Sequence, residues 1–145
     1  MSDLVLVLTI AGRRAALATA DVHSVVELDA VTPVPRAPSY VLGLSALRSS
    51  NLTVVDAAAA LGIAEPRRPE AGTRAAIVDH GGHRYALVVD AVADVAERLS
   101  EPVAVPGEAG PGWQHASRGL VETARGPALL IALDALLAGP AARAA

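Results

Sequence analysis

Short apolar runs dominated by Val, Leu and Ala recur along the chain, separated by turns that contain glycine or proline. Val and other β-branched side chains suit the pleated surface of a strand better than a helix. Gly12 and Gly82 each stand between two such runs, where a hairpin turn needs a residue that accepts positive φ. The pattern therefore predicts an all-β protein.

The chain repeats itself with an offset of 70 residues. Seven residues of the segment 11–27 recur in the segment 81–97, in the pairs Gly12 and Gly82, Arg14 and Arg84, Ala16 and Ala86, Leu17 and Leu87, Val22 and Val92, Val25 and Val95, and Glu27 and Glu97. More loosely, Gly43-Leu44 matches Gly119-Leu120, and Leu52 to Asp56 matches Leu130 to Asp134. Units of about 70 residues are too small to be stable alone. We therefore predict one domain, 1–145, whose subdomains, about 1–70 and 71–145, pack together or exchange strands.

Two short helices are expected, each after a strand that ends near an aspartate. Asp56 is placed to cap a helix from Ala57 to Leu61, and Asp134 to cap one from Ala135 to Ala138. The loop from Pro102 to Gly112 is expected to lack regular structure, because prolines and glycines crowd it.

Two valine clusters occupy matching places in the repeat. Val22, Val25 and Val26 have the spacing i, i+3, i+4, and Val92, Val95 and Leu99 the spacing i, i+3, i+7, which predicts at least one helical turn in each copy. Either the clusters are ordinary core, or they meet at the junction of the two units and form an apolar groove.

Composition narrows the function classes. With no Cys, no Lys and a net charge of −3, the chain lacks thiolate chemistry and the basic stripe that nucleic-acid binding needs. His80 and His83 flank a Gly-Gly turn and supply too few ligands for a metal site, and Leu47 stands where a nucleophile elbow around Ser45 needs Gly. The apolar run Leu4 to Leu8 is too short to span a bilayer. We therefore expect a cytoplasmic protein with no enzymatic activity, cofactor, metal or membrane insertion.

Several motifs, taken in order, resemble the CheW-like family of chemotaxis adaptor proteins. They are Val22-His23-Ser24-Val25, Val31-Thr32-Pro33-Val34-Pro35, the run Ala37 to Gly43, Ala46-Leu47-Arg48-Ser49, Leu52 to Asp56, and Gly82 to Val95 with its Leu87-Val88-Val89-Asp90. The resemblance implies two five-stranded, barrel-like subdomains of SH3 or OB type with short helices. It also implies a non-catalytic adaptor that couples methyl-accepting chemoreceptors to a chemotaxis histidine kinase.

The resemblance also implies partners and sites. The partners are the cytoplasmic helical tip of a chemoreceptor and the regulatory domain of the kinase, with recruitment to receptor clusters. The receptor-binding residues implied are Val22, Ser24, Val25, Gly43, Arg48, Val92 and Val95, and the kinase-binding residues are Ser49, Ser50 and Asn51.

The chain departs from the family pattern around Arg48. Ser24 stands where an acidic residue is usual, and Ala46 and Ser49 replace the usual Asn and Gly. These departures suggest an auxiliary or specialised adaptor with weakened kinase coupling. A different class remains open, in which the cleft between the subdomains holds a small molecule.

Overall fold

A computed structural model describes residues 3–47 and 50–140 of the chain. Ten strands and three short helices follow one another in the described residues. The strands are β1 Asp3–Ile10, β2 Arg13–Ala18, β3 Val22–Glu27, β4 Val41–Leu47, β5 Ser50–Asp56, β6 Arg74–His80, β7 His83–Val88, β8 Ala91–Arg98, β9 Ser117–Thr123 and β10 Gly126–Ile131. The helices are α1 Ala57–Ala60, α2 Pro111–Ala116 and α3 Leu133–Leu137, and 3₁₀ turns lie at Thr19–Asp21 and Gly107–Ala109.

The strands form two five-stranded sheets. One is a closed barrel with the order β1-β2-β10-β9-β8, here called the barrel, and the other, here called the second sheet, has the order β3-β6-β7-β5-β4. The prediction of an all-β fold with two five-stranded units is confirmed. The two repeats exchange their first hairpins. The β1–β2 hairpin joins the three strands of the second repeat, where β2 pairs with β10 in parallel. The β6–β7 hairpin joins the three strands of the first repeat, where β7 pairs with β5 in parallel.

Side-chain alternation divides the apolar residues among three cores. Val5, Val7, Ala16, Ala96 and Ala128 pack together on one face of the barrel strands. Leu28, Leu52, Val54, Ala75, Ile77 and Ala86 do the same in the second sheet. The opposite faces of both sheets meet the helices in a third and larger cluster, here called the junction core, which contains Leu6, Leu8, Leu17, Val55, Ala76, Val78, Leu87, Trp113 and Leu136. Successive residues of a strand point to opposite faces, so strands such as β1 and β6 are buried on both sides.

The first predicted helix cap is confirmed and the second is wrong. Asp56 precedes α1 and its Oδ1 accepts a hydrogen bond from the Ala59 backbone N–H at 3.2 Å. The last helix begins earlier than expected, because Ala132 precedes it and Asp134 already lies in its first turn. Asp134 therefore cannot cap α3.

Helix α2 contradicts the expectation of an irregular loop from Pro102 to Gly112. The loop contains a 3₁₀ turn, and α2 starts at Pro111, where proline is tolerated because the first helical N–H needs no partner. The helix buries Trp113 and Ala116 in the junction core. Burial of the one Trp therefore outweighs the local preference of the flanking glycines.

The helical turns predicted for the valine clusters are also wrong, since the valines of both clusters lie on strands and Leu99 follows the end of β8. Each strand has a bulge at the same place in the repeat: the register shifts between Val22 and Ser24 in β3, and opposite Leu6 and Leu8 in β8. A bulge adds one residue and so turns a two-residue spacing into a three-residue spacing. Val22 and Val25 thus share one face of a strand.

Candidate docking site

The four matched valines lie along the junction of the two sheets. Val22 and Val25 pair with Val78 and Ala76, and Val92 and Val95 pair with Leu8 and Leu6. All four partners belong to the junction core, and directly paired residues point to the same face of a sheet. The pairing therefore places all four valines on the strand faces that cover the junction core, Val22 and Val25 on β3 and Val92 and Val95 on β8, and this set of four is here called the valine groove.

The valines differ in exposure. Val22, Val25 and Val92 are half-buried and pack against the junction core, whereas Val95 is 47% exposed. Val95 is the residue that a partner can reach most directly.

Ser24 and Gly43 are not part of this apolar face. Ser24 pairs with Ile77, which belongs to the core of the second sheet, and its Oγ lies 3.0 Å from Nδ1 of His23. Gly43 is buried at φ 148°, and a Cβ there would lie 2.2 Å from the carbonyl oxygen of Thr32. Gly43 is therefore required by the backbone itself, which the sequence repeat signalled through its match with Gly119.

Arg48 and Ser49 lie outside the described residues. Their roles in receptor and kinase binding stay predictions from the sequence.

Ser50 and Asn51 are exposed at the start of β5, beside the tip of the β6–β7 hairpin. They line a cleft of about 370 Å³ together with Asp79, Gly82, His83 and Arg84. The parallel pairing of Thr53 with Tyr85 places these two distant segments side by side. Sequence reasoning missed the hairpin residues, because only the exchange of hairpins brings them next to β5.

The main ion pair of this cleft joins two neighbouring strands. Nε of Arg84 donates a hydrogen bond of 2.8 Å to Oδ1 of Asp79. This hydrogen bond, helped by the positive charge of the guanidinium, holds the pKa of the Asp79 carboxyl below its usual value. The carboxylate therefore stays ionised at all physiological pH values.

A second cavity, of about 410 Å³, lies under the linker between the two repeats. Its wall includes Asp56, Arg67 and Asp90, which are bonded to one another: the Arg67 backbone N–H donates to Asp56 at 3.0 Å, and Nη2 of Arg67 lies 3.4 Å from Oδ1 of Asp90. Asp90 also accepts from the backbone N–H of Gly12. These charges thus already have partners within the chain, and they tie the linker to the first hairpin.

Of the residues considered for chemistry, Ser45 is engaged in packing, whereas His80 and His83 are exposed at a hairpin tip. The hydroxyl of Ser45 is buried and donates to the Ala30 carbonyl at 3.1 Å. In the described part of the chain, no group of three or more His, Asp or Glu side chains is arranged to hold a metal ion. The described surface thus carries the valine groove, of which Val95 is exposed, and the polar cleft beside Ser50.

Comparison with known proteins shows to which family this chain belongs. The model of the CheW-like domain matches residues 4–141, nearly the whole length. The chain belongs to the CheW-like domain family. The resemblance inferred from the ordered motifs is thereby confirmed.

A solved CheW structure agrees with the fold. The scaffolding protein TtCheW from Thermoanaerobacter tengcongensis superposes with a TM-score of 0.75 at 26% sequence identity, over 90% of this chain and 89% of that chain. No curated protein matches the sequence significantly. Across residues 3–47 and 50–140 of this CheW-like chain, the helices are all too short or too polar to cross a membrane.

Proposed function

We propose that the chain is a non-catalytic cytoplasmic adaptor that couples a chemoreceptor to a chemotaxis-type histidine kinase. The observation that carries this proposal is the valine groove, an apolar seam at the junction of two sheets in a member of the CheW-like family. An apolar groove of this kind suits a helix that presents one apolar ridge. The receptor binds through its helical tip, which docks in the valine groove of this chain.

The groove favours weak, reversible binding. Its four valines supply little apolar area, and no aromatic side chain fills it, so the contact should bury less than about 1,200 Å², as transient signalling interfaces do. Receptor tip and kinase would contact different strands, because β6 and β7 lie between β3 of the groove and β5, where Ser50 and Asn51 stand.

The receptor contact is tested at Val95, the most exposed valine of the groove. Val95→Asp would bury an unpaired carboxylate against the receptor helix, so we expect the affinity for a receptor-tip fragment to fall at least tenfold. Val95→Thr keeps the shape without the charge and serves as the matched control. Isothermal titration calorimetry with the full chain measures both, and melting curves show that the variants fold. Native affinity in Val95→Asp would place the receptor site elsewhere.

We also propose that kinase coupling is weaker than in an ordinary family member. Ser24, Ala46 and Ser49 remove polar and glycine features that the family usually carries near Arg48. The double variant Ser24→Glu/Ser49→Gly should then bind the kinase regulatory domain more tightly than the native chain. Because Ser24 is half-buried, the melting temperature must be followed in parallel. Unchanged affinity in a folded double variant would refute weakened coupling.

A second function, the binding of a small molecule, would use the cavity of about 410 Å³ under the linker. Its charged wall residues already bond to one another, which makes it less suited to the apolar ligand expected for this alternative. A thermal-shift screen against metabolites separates the two functions, because only a ligand-binding protein should gain stability.

A further inference from the structure

The two halves of the molecule differ at the tips of their matching hairpins. At the tip of β1–β2, the backbone N–H of Gly12 donates to Asp90, which lies where the chain crosses from one sheet to the other. Seventy residues earlier, in the place that matches Asp90, stands Ala20, which cannot accept such a bond. Over the described residues, no side chain is bonded to the backbone of Gly82, the match of Gly12.

The same asymmetry holds for the matching arginines. Nη1 of Arg14 points back to its own barrel and lies 3.5 Å from the carbonyl oxygen of Pro127. Arg84 instead bonds Asp79 through Nε, and this is the only side-chain hydrogen bond that Arg84 makes within the described part of the chain. The side chain of Arg84 is 32% exposed, and that of Asp79 is 51% exposed. The two Nη groups thus have no hydrogen-bond partner among the described residues, and Arg84 lines the cleft beside Ser50 and Asn51.

We propose that the tip of the β6–β7 hairpin, residues 79–84, forms one kinase-facing surface with Ser50 and Asn51, and that Arg84 there binds a carboxylate of the partner protein. This inference rests on the proposed function and extends it to a part of the chain 30 residues away. A guanidinium whose Nε is already fixed by a carboxylate presents its Nη groups in a constrained orientation, which favours a directed, charge-assisted contact. The hydroxyl of Ser50 and the amide of Asn51 can bond the polar atoms around that carboxylate.

The orientation of the pair explains why Asp79 does not satisfy Arg84 completely. In this pair Oδ1 of Asp79 accepts from Nε alone, whereas a guanidinium has five N–H groups. At the matching place in the first hairpin, Thr9 stands instead of Asp79, and the arginine turns to the backbone of its own barrel. The Asp79–Arg84 pair therefore holds the guanidinium at the surface of the second sheet.

The test compares two arginines that occupy the same place in the repeat. Arg84→Ala and Arg14→Ala are prepared in the full chain, and the affinity of each for the kinase regulatory domain and for a receptor-tip fragment is measured separately by calorimetry. We expect Arg84→Ala to lower kinase-domain affinity about tenfold or more, the usual loss for a charge-assisted hydrogen bond, and to leave receptor affinity unchanged. Arg14→Ala should leave both unchanged.

A salt titration distinguishes a direct contact from an effect on the shape of the hairpin. Screening weakens charge contacts, so native kinase-domain affinity should fall with salt more steeply than that of Arg84→Ala. Arg84→Lys keeps the charge without the fork and should restore only part of the affinity. Native kinase-domain affinity in a folded Arg84→Ala variant would overturn the inference while the adaptor function stands. A native chain that binds neither partner would overturn the proposed function, and this inference with it.

Discussion

The carboxylate of Asp90 accepts a hydrogen bond of 3.1 Å from the backbone N–H of Gly12, a residue 78 positions earlier. The other oxygen of the same carboxylate lies 3.4 Å from Nη2 of Arg67 in the linker. One side chain thus connects the crossover between the sheets, the first hairpin and the linker. The fold depends on this connection in a way that the second hairpin does not share.

Asp90→Ala should lower the free energy of unfolding by about 1 kcal/mol, through loss of the bond to Gly12. The ion pair with Arg67 adds little, because the arginine side chain is 76% exposed. Asp94→Ala is the control, since Asp94 bonds only the backbone N–H of its neighbour Val95. Urea unfolding of both variants gives the comparison, and equal losses would show that the bond to Gly12 contributes nothing of its own.

Asp56→Ala should cost more, about 2 kcal/mol, because a buried carboxylate caps α1 and also binds the backbone of Arg67. Asp134→Ala serves as the matched control in the second repeat, and we expect a change within about 0.5 kcal/mol because this residue caps nothing. Thermal and urea unfolding measure both. A large loss in Asp134→Ala would contradict the assignment of Ala132 as the residue that precedes α3.

Gly43→Ala and Gly119→Ala should each destabilise the fold by about 2 kcal/mol or more. A Cβ at Gly43 would lie 2.2 Å from the Thr32 carbonyl oxygen, and one at Gly119 would lie 2.5 Å from that of Val103. Gly107→Ala meets open space and should be close to neutral. Stability in Gly43→Ala equal to that in Gly107→Ala would refute the close approach. Any loss of receptor binding in a Gly43 variant must accordingly be corrected for its fraction unfolded.

The Asp79 carboxyl should titrate below its ordinary pKa in the native chain and return towards that value in Arg84→Ala. Because the pKa is lower in the folded state, the pair's stabilising contribution is complete above the ordinary value of about 3.9. It is lost as the pH falls through the folded-state pKa. Carboxyl chemical shifts, followed by NMR between pH 2 and 6 in both proteins, give the two values directly. An unshifted Asp79 in the native chain would contradict the hydrogen bond to Arg84.

The sequence predicts which residues of the two repeats correspond, but it does not predict the conformation of every matched segment. Matched residues such as Leu17 and Leu87 both lie in the junction core, and the hairpin glycines Gly12 and Gly82 both have positive φ. The spacing of Val22 and Val25 was interpreted as helical, since a bulge in a strand gives the same three-residue spacing. A bulge depends on pairing with a distant strand, and the sequence alone does not show that pairing.

The sequence predicts only part of the candidate site, again because it does not show which distant strands pair. The valine groove follows from two clusters that the repeat had already matched, although its receptor role stays a proposal. Asp79 and Arg84 were missed because they lie next to Ser50 only through the parallel pairing of β5 with β7. Two differences between the repeats, Ala20 in the place of Asp90 and Thr9 in the place of Asp79, are the signals in the sequence that the two hairpins differ.

The exchange of hairpins also sets the order of events during synthesis on the ribosome. Leu4 in the first strand pairs with Glu97, 93 residues later, so β1 has no partner on that side until most of the chain has been made. The β6–β7 hairpin, in contrast, meets β3, β4 and β5 already synthesised. We therefore expect the second sheet to form first, while the apolar strand β1, paired with β2 on one side, keeps its other edge open to aggregation. The edge of β1 that later pairs with β8 is thus the part of the hairpin that stays open longest during synthesis.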